Sequence, residues 1–208
     1  MKPYPLILPI VVLAVMVAAC SQSDEERAGR LAEQGKTAEA IALYVRAIEG
    51  GSTEAIKQLA LLYSNNLQPA KAQEYYQLAH EKGDREATLY LANTSLKDQR
   101  YSDVVTYLKP LVDAGDTTQV YPLGRAYVEL GQYDKAVAYL SKNKDNVYVK
   151  DILGTAYYEL GELDQAEAVW RSAVYDHGSG AVNSYNKLLE FYREQGRTAD
   201  YEALEGAY

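Results

Sequence analysis

The chain has 208 residues, with 29 acidic against 21 basic side chains and a formal net charge of −8. That balance argues against nucleic acid, or an anionic bilayer surface, as a charge-driven partner. One cysteine excludes an internal disulfide, and twenty tyrosines against one phenylalanine predict many rings at half-buried positions with hydroxyls reaching water.

The first predicted element is the apolar run from Leu6 to Ala19, interrupted only by Pro9. It is too short to cross a bilayer core, which takes roughly 20 residues, and suits the hydrophobic part of a secretory signal. It closes with Val17-Ala18-Ala19-Cys20, after which the composition turns polar. Small residues let the backbone lie extended in a peptidase site, and a cysteine directly after the cut supplies a thioether sulfur. The junction resembles the lipobox of bacterial lipoproteins; the alternatives are an ordinary signal peptide with a chance cysteine, or an uncleaved anchor. The resemblance implies a signal peptide over 1–19 and lipidation of Cys20, with palmitate or a similar acyl chain at the new N-terminus. It also implies a short tether over 20–23. Ser21, rather than an aspartate, implies sorting to the outer membrane, facing the periplasm. No later apolar run is long enough to span.

From Asp24 onward the chain repeats. "LGRAYVELGQYDKAVAYL" (123–140) aligns with "LGTAYYELGELDQAEAVW" (153–170), and the column of Tyr127 and Tyr157 extends to Leu31, Tyr63, Ser95 and Tyr192, at steps of 32, 32, 32, 30 and 35. This predicts six repeats over 24–208. Leu59, Leu91, Leu123, Leu153 and Leu188 form a column four residues earlier, with Arg27 breaking it in the first repeat. Small residues recur at Ala28, Ala60, Ala92, Gly124 and Gly154, and at Ala40, Ala72, Ala136 and Ala166, where two helices must approach closely.

Each repeat reads as two helices. Leu123, Ala126, Tyr127 and Leu130 recur at helical spacing, Gly131 interrupts, and Tyr133, Ala136, Val137 and Leu140 resume the pattern. Gly35, Gly131, Gly161 and Gly196 are the expected helix-ending residues. Gly50-Gly51, Gly83-Asp84, Gly115-Asp116 and "DHGSG" (176–180) separate the repeats, with Ser, Thr or Asp ready to cap the next helix. Pro69 and Pro122 fit first-turn positions, whereas Pro110 falls inside a helix and predicts a kink. Ser95 and Val104 predict irregular packing in the third repeat, and Tyr201, in a small-residue slot, the same in the sixth. No segment alternates with a two-residue period.

These residues resemble the tetratricopeptide family, and "KAQEYYQLAHEKGDREATLYLA" (71–92) resembles its Sel-like branch. The resemblance implies an all-α, superhelical solenoid of about six helix-turn-helix repeats over 24–208, with a concave face lined by first helices. No catalytic or metal-ligating constellation is expected; His80 and His177 sit near helix C-termini, where the helix dipole accounts for them. No cofactor is implied.

On the predicted concave face the stripes are Lys57, Leu61 and Ser64; Leu89, Asn93 and Leu96; Tyr121, Arg125 and Val128; and Asp151, Thr155 and Tyr158. Tyrosine and arginine are favoured interface anchors; in the competing reading Tyr121 and Tyr158 only pack between repeats and Arg125 pairs with Asp151. The carboxylate clamp of chaperone-binding relatives is not reproduced, because Leu61 stands where an asparagine is expected. Tyr201, Leu204 and Tyr208 predict a second, C-terminal interface, for a partner or a second copy in a homodimer. The expected function is a non-enzymatic envelope scaffold for assembling a protein complex, with envelope proteins as partners. The alternatives are an adaptor of peptidoglycan enzymes and a tyrosine-rich glycan receptor.

Overall fold

A computed structural model describes residues 23–177 and 181–207. The signal segment, Cys20 and Tyr208 lie outside the described residues. The described residues hold twelve α-helices in six consecutive pairs and no strand. The first three pairs are α1 (Asp24–Glu33) with α2 (Thr37–Glu49), α3 (Thr53–Asn65) with α4 (Pro69–Glu81), and α5 (Arg85–Lys97) with α6 (Tyr101–Asp113). The last three are α7 (Val120–Glu129) with α8 (Tyr133–Leu140), α9 (Val147–Glu159) with α10 (Leu163–His177), and α11 (Val182–Glu194) with α12 (Thr198–Glu205). The fold is a helical-repeat solenoid.

Local chemistry sets the boundaries. Ser52 accepts from the Ala55 N–H at 3.1 Å, Asp84 from Ala87 at 2.7 Å and Asn146 from Tyr148 at 2.9 Å, each satisfying an amide that the helix start leaves unpaired. The turn inside each pair needs one residue in the left-handed region. Gly35 and Gly131 supply it, as expected, but the same column holds Leu67 at φ 56° and Gln99 at φ 58°. There the flanking helices impose a conformation that costs a side-chain-bearing residue about 1–2 kcal/mol.

The described residues form two compact units that divide between Thr88 and Leu89. In the first, Leu59, Ala60 and Tyr63 of α3 are buried with Ala72, Tyr76 and Ala79 of α4. In the second, one core cluster joins Val104, Leu108, Leu123, Tyr127, Leu140 and Leu153, and another joins Trp170, Leu188, Phe191, Tyr192 and Leu204. Each wholly buried leucine contributes about 1.5–3 kcal/mol. The small-residue columns have the expected cause: a Cβ on Gly124 would fall 2.2 Å from Leu140 Cδ2, and one on Gly154 2.4 Å from Trp170 Nε1.

The tyrosines form a recurrent device. Tyr63 stacks on Tyr75 at 5.5 Å with Lys71 over the Tyr63 ring, and two repeats later Tyr127 stacks on Tyr139 at 5.4 Å with Lys135 over Tyr127. The Tyr139 hydroxyl donates to Asp113 Oδ1 at 3.0 Å. Burial raises the pKa of both Tyr75 and Tyr127.

The third and sixth repeats are more regular than expected. Val104 is wholly buried in the first core cluster, filling the small-residue slot; Pro110 lies inside α6, where the sequence placed it. Tyr201 fits by standing half out, its hydroxyl accepting from Arg193 Nη2 at 3.3 Å.

Candidate partner-binding site

In the first unit, α3 carries Lys57 and Leu61. Lys57 Nζ lies 3.1 Å from Glu86 Oε2, 3.2 Å from Glu54 Oε2 and 3.8 Å from Asp84 Oδ2. The Glu86 hydrogen bond leads the causes that raise its pKa, so the ammonium is already neutralised locally. Leu61 is 45% exposed. His80 Nδ1 lies 2.8 Å from Thr88 Oγ1, and that hydroxyl donates to the Asp84 carbonyl; the imidazole braces the turn between repeats.

In the second unit, first helices of successive pairs touch one another, α7 with α9 and α9 with α11. Leu89 packs partly buried against the first core cluster, and Asn93 is exposed. Tyr121 meets Tyr148 edge to face at 6.0 Å and is half-buried. Arg125 and Asp151 do not pair with each other. Arg125 Nε reaches Glu129 Oε1 on its own helix at 3.8 Å. Asp151, with a side chain only 13% exposed, instead faces Lys187 of α11, whose Nζ lies 3.1 Å away in an ion pair that lacks hydrogen-bond alignment. Lys187 donates its hydrogen bond to Thr155 Oγ1. The next helix of the stack brings a lysine to the buried carboxylate, and that leaves Arg125 to its neighbour one turn on.

Leu204 is buried in the second core cluster, so its apolar character serves the unit's own packing rather than an open interface. Only Tyr201 of the described C-terminal residues named above offers aromatic surface, and Arg193 lies over its ring at 5.4 Å.

Tyr158 lines a cavity of about 250 Å³ together with Thr155, Glu159, Trp170, Lys187, Glu190, Phe191 and Glu194. Trp170 and Phe191, at 3% and 4% exposure, form its floor, their rings 6.2 Å apart, and Tyr158 leans on both. The Trp170 indole N–H donates to the Asp151 carbonyl at 3.3 Å, which fixes the ring. At the rim the Tyr158 hydroxyl donates to Glu194 Oε2 at 2.6 Å, and this bond is the main cause that raises the Tyr158 pKa, with Glu159 and Glu190 adding charge repulsion. Beneath α11 a separate network holds the last pair: Glu167 accepts from Arg197 and from the Tyr192 hydroxyl at 3.0 Å.

Glu159, Trp170, Lys187, Glu190, Phe191 and Glu194 were not among the residues the sequence pointed to. Carried into the sixth repeat on the alignment of Tyr157 with Tyr192, the predicted stripe of Asp151, Thr155 and Tyr158 becomes Asn186, Glu190 and Arg193, which would have found Glu190 of the rim. No group of three or more His, Cys, Asp or Glu among the described residues could hold a metal ion.

Two profiles described as tetratricopeptide repeat match residues 121–142, the α7–α8 pair, and residues 151–172 in the α9–α10 pair, which lines part of the cavity. These two helix pairs match tetratricopeptide repeats. Solved structures of other proteins have a similar fold. YrrB, described as a protein of this kind with an unusual peptide-binding site, shares 19% identity over 77% of this chain and 88% of its own, with a TM-score of 0.62. A tetratricopeptide repeat protein from Parabacteroides merdae shares 15% over 88% and 78%, with a TM-score of 0.60. MamA AMB-1 shares 17% over 75% and 91%, with a TM-score of 0.58. No curated protein sequence matches the chain.

Proposed function

We propose that this protein is a non-enzymatic scaffold that holds segments of partner proteins on the first-helix face of its second unit. It is tethered through a lipid on Cys20 to the outer membrane, facing the periplasm, and serves assembly of an envelope or secretion complex. The observation that carries the binding role is the cavity at Tyr158: a concave site with a buried aromatic floor and an open polar rim, set within tetratricopeptide repeats. The peptide-binding description of YrrB supports the same reading by likeness of fold.

The tether rests on Val17-Ala18-Ala19-Cys20 and on Ser21. Ser23 caps α1, its Oγ accepting from Glu26 N–H at 3.2 Å, so only Ser21 to Ser23 separate the lipidated residue from the first helix, on the order of 10 Å at full extension. The glycan-receptor alternative rested on the tyrosines, and the stacked pairs account for several of them by packing. The test is a photo-crosslinking amino acid placed at Glu159 in the native host, with adducts identified by mass spectrometry. A specific envelope protein that crosslinks there and not from Glu39 supports the reading, and its identity separates complex assembly from delivery of peptidoglycan enzymes. No protein adduct at Glu159 refutes it.

A further inference from the structure

We infer that the Tyr158 cavity receives a lysine or arginine side chain from the bound segment of a partner protein, an inference that rests on the interaction reading above. Its size fits: about 250 Å³ is below the roughly 300–1,000 Å³ of small-molecule sites and has room for one long side chain. Its apolar wall fits the stem, because the half-buried Tyr158 ring, backed by Trp170 and Phe191, offers hydrocarbon contact to a methylene chain whose charged head stays at the rim. Its rim fits the head. Glu159 and Glu190 are exposed and make no side-chain hydrogen bond or ion pair among the described residues, while Glu194 holds only the Tyr158 hydroxyl. The one cation among the lining residues, Lys187, is turned onto Thr155 and Asp151 and leaves the three glutamates uncompensated. An apolar or acidic side chain would leave or worsen that charge. The face thus has the opposite polarity to a basic clamp for carboxylates.

The full-length protein is probed with immobilised random peptides of about twelve residues and with a panel of neutral oligosaccharides. Bound peptides are expected to be enriched in lysine or arginine. A fluorescent copy of one such peptide should bind about tenfold more weakly when its basic residue is replaced by norleucine. It should weaken to a similar degree against the E159Q/E190Q/E194Q variant, with the two losses not adding, as for groups that interact directly. The E39Q/E74Q/E202Q variant removes equal charge elsewhere on the chain and should leave affinity within about twofold, which separates the site from general attraction to an acidic protein. Circular dichroism checks that both variants are folded. Bound peptides without basic enrichment, equal weakening by both variants, or binding of oligosaccharides in place of peptides overturns the inference and leaves the interaction face standing. If no peptide binds at all, the interaction reading falls and the inference with it.

Discussion

Replacing Gly154 by alanine adds one methyl group at a close helix contact of the second unit, and two effects of opposite sign compete. Alanine is the better helix former, by about 1 kcal/mol in a helix interior. The added Cβ, however, would lie 2.4 Å from Trp170 Nε1, 2.5 Å from Cδ1 and 2.8 Å from Cε2. The indole cannot swing aside cheaply: it is 3% exposed, packed on Phe191, and donates to Asp151 O. Overpacking of this kind costs about 1–3 kcal/mol, and displacing the ring forfeits a hydrogen bond of about 1 kcal/mol. Gly154→Ala should therefore destabilise by about 2 kcal/mol, or about 4–8 °C in Tm for a chain of this length. Gly29→Ala makes the same chemical change inside α1, where the new Cβ meets only the Tyr44 hydroxyl at 3.6 Å, an ordinary contact. It should stabilise by about 0.5–1 kcal/mol. Urea unfolding reads the first through Trp170, the single tryptophan of the chain, and the second through circular dichroism. If Gly154→Ala is as stable as the parent, the close approach is not what selects glycine there and the packing argument fails.

Leu67→Gly and Gln99→Gly should each raise stability by about 1 kcal/mol, because both residues hold positive φ that glycine adopts without strain; lowered midpoints in urea would show that the side chains contribute contacts that outweigh the strain. Burial pushes the Glu167 pKa up, but its bonds to Arg197 and Tyr192 outweigh this and hold it below its ordinary 4.5. It therefore stabilises the fold above about pH 4.5, and that contribution is lost as pH falls through the lowered folded value. The Tm gap between the parent and Glu167→Gln should accordingly be present at pH 7 and close in acid; a gap independent of pH would contradict the linkage. Burial, then the bond to Glu167, pushes Tyr192 up to about 12 from an ordinary 10, so its contribution is complete below pH 10 and is lost from there to about pH 12, a loss Tyr192→Phe should abolish. A palmitate analogue should label the parent and not Cys20→Ser; equal labelling would remove the anchor from the proposal.

The sequence by itself determined the repeat. Its period, the two-helix division, the capped turns at Ser52 and Asp84 and the small-residue columns at Gly124 and Gly154 all follow from chemistry acting within one repeat, where helical spacing and glycine placement are legible. Which charges meet was decided only by the tertiary structure. Asp151 has its cation on α11, so the partner of a residue in the fifth repeat comes from the sixth, and nothing local to either distinguishes Lys187 from Arg125 as that partner. The cavity is of the same kind: Tyr158 and Glu159 from α9, Trp170 from α10, and Glu190, Phe191 and Glu194 from α11 become one site only when the helices stack. Leu67 and Gln99 make the point from the other side. Their own preferences oppose the left-handed turn, and they adopt it because the helices they join are held by packing that gains more than the turn costs.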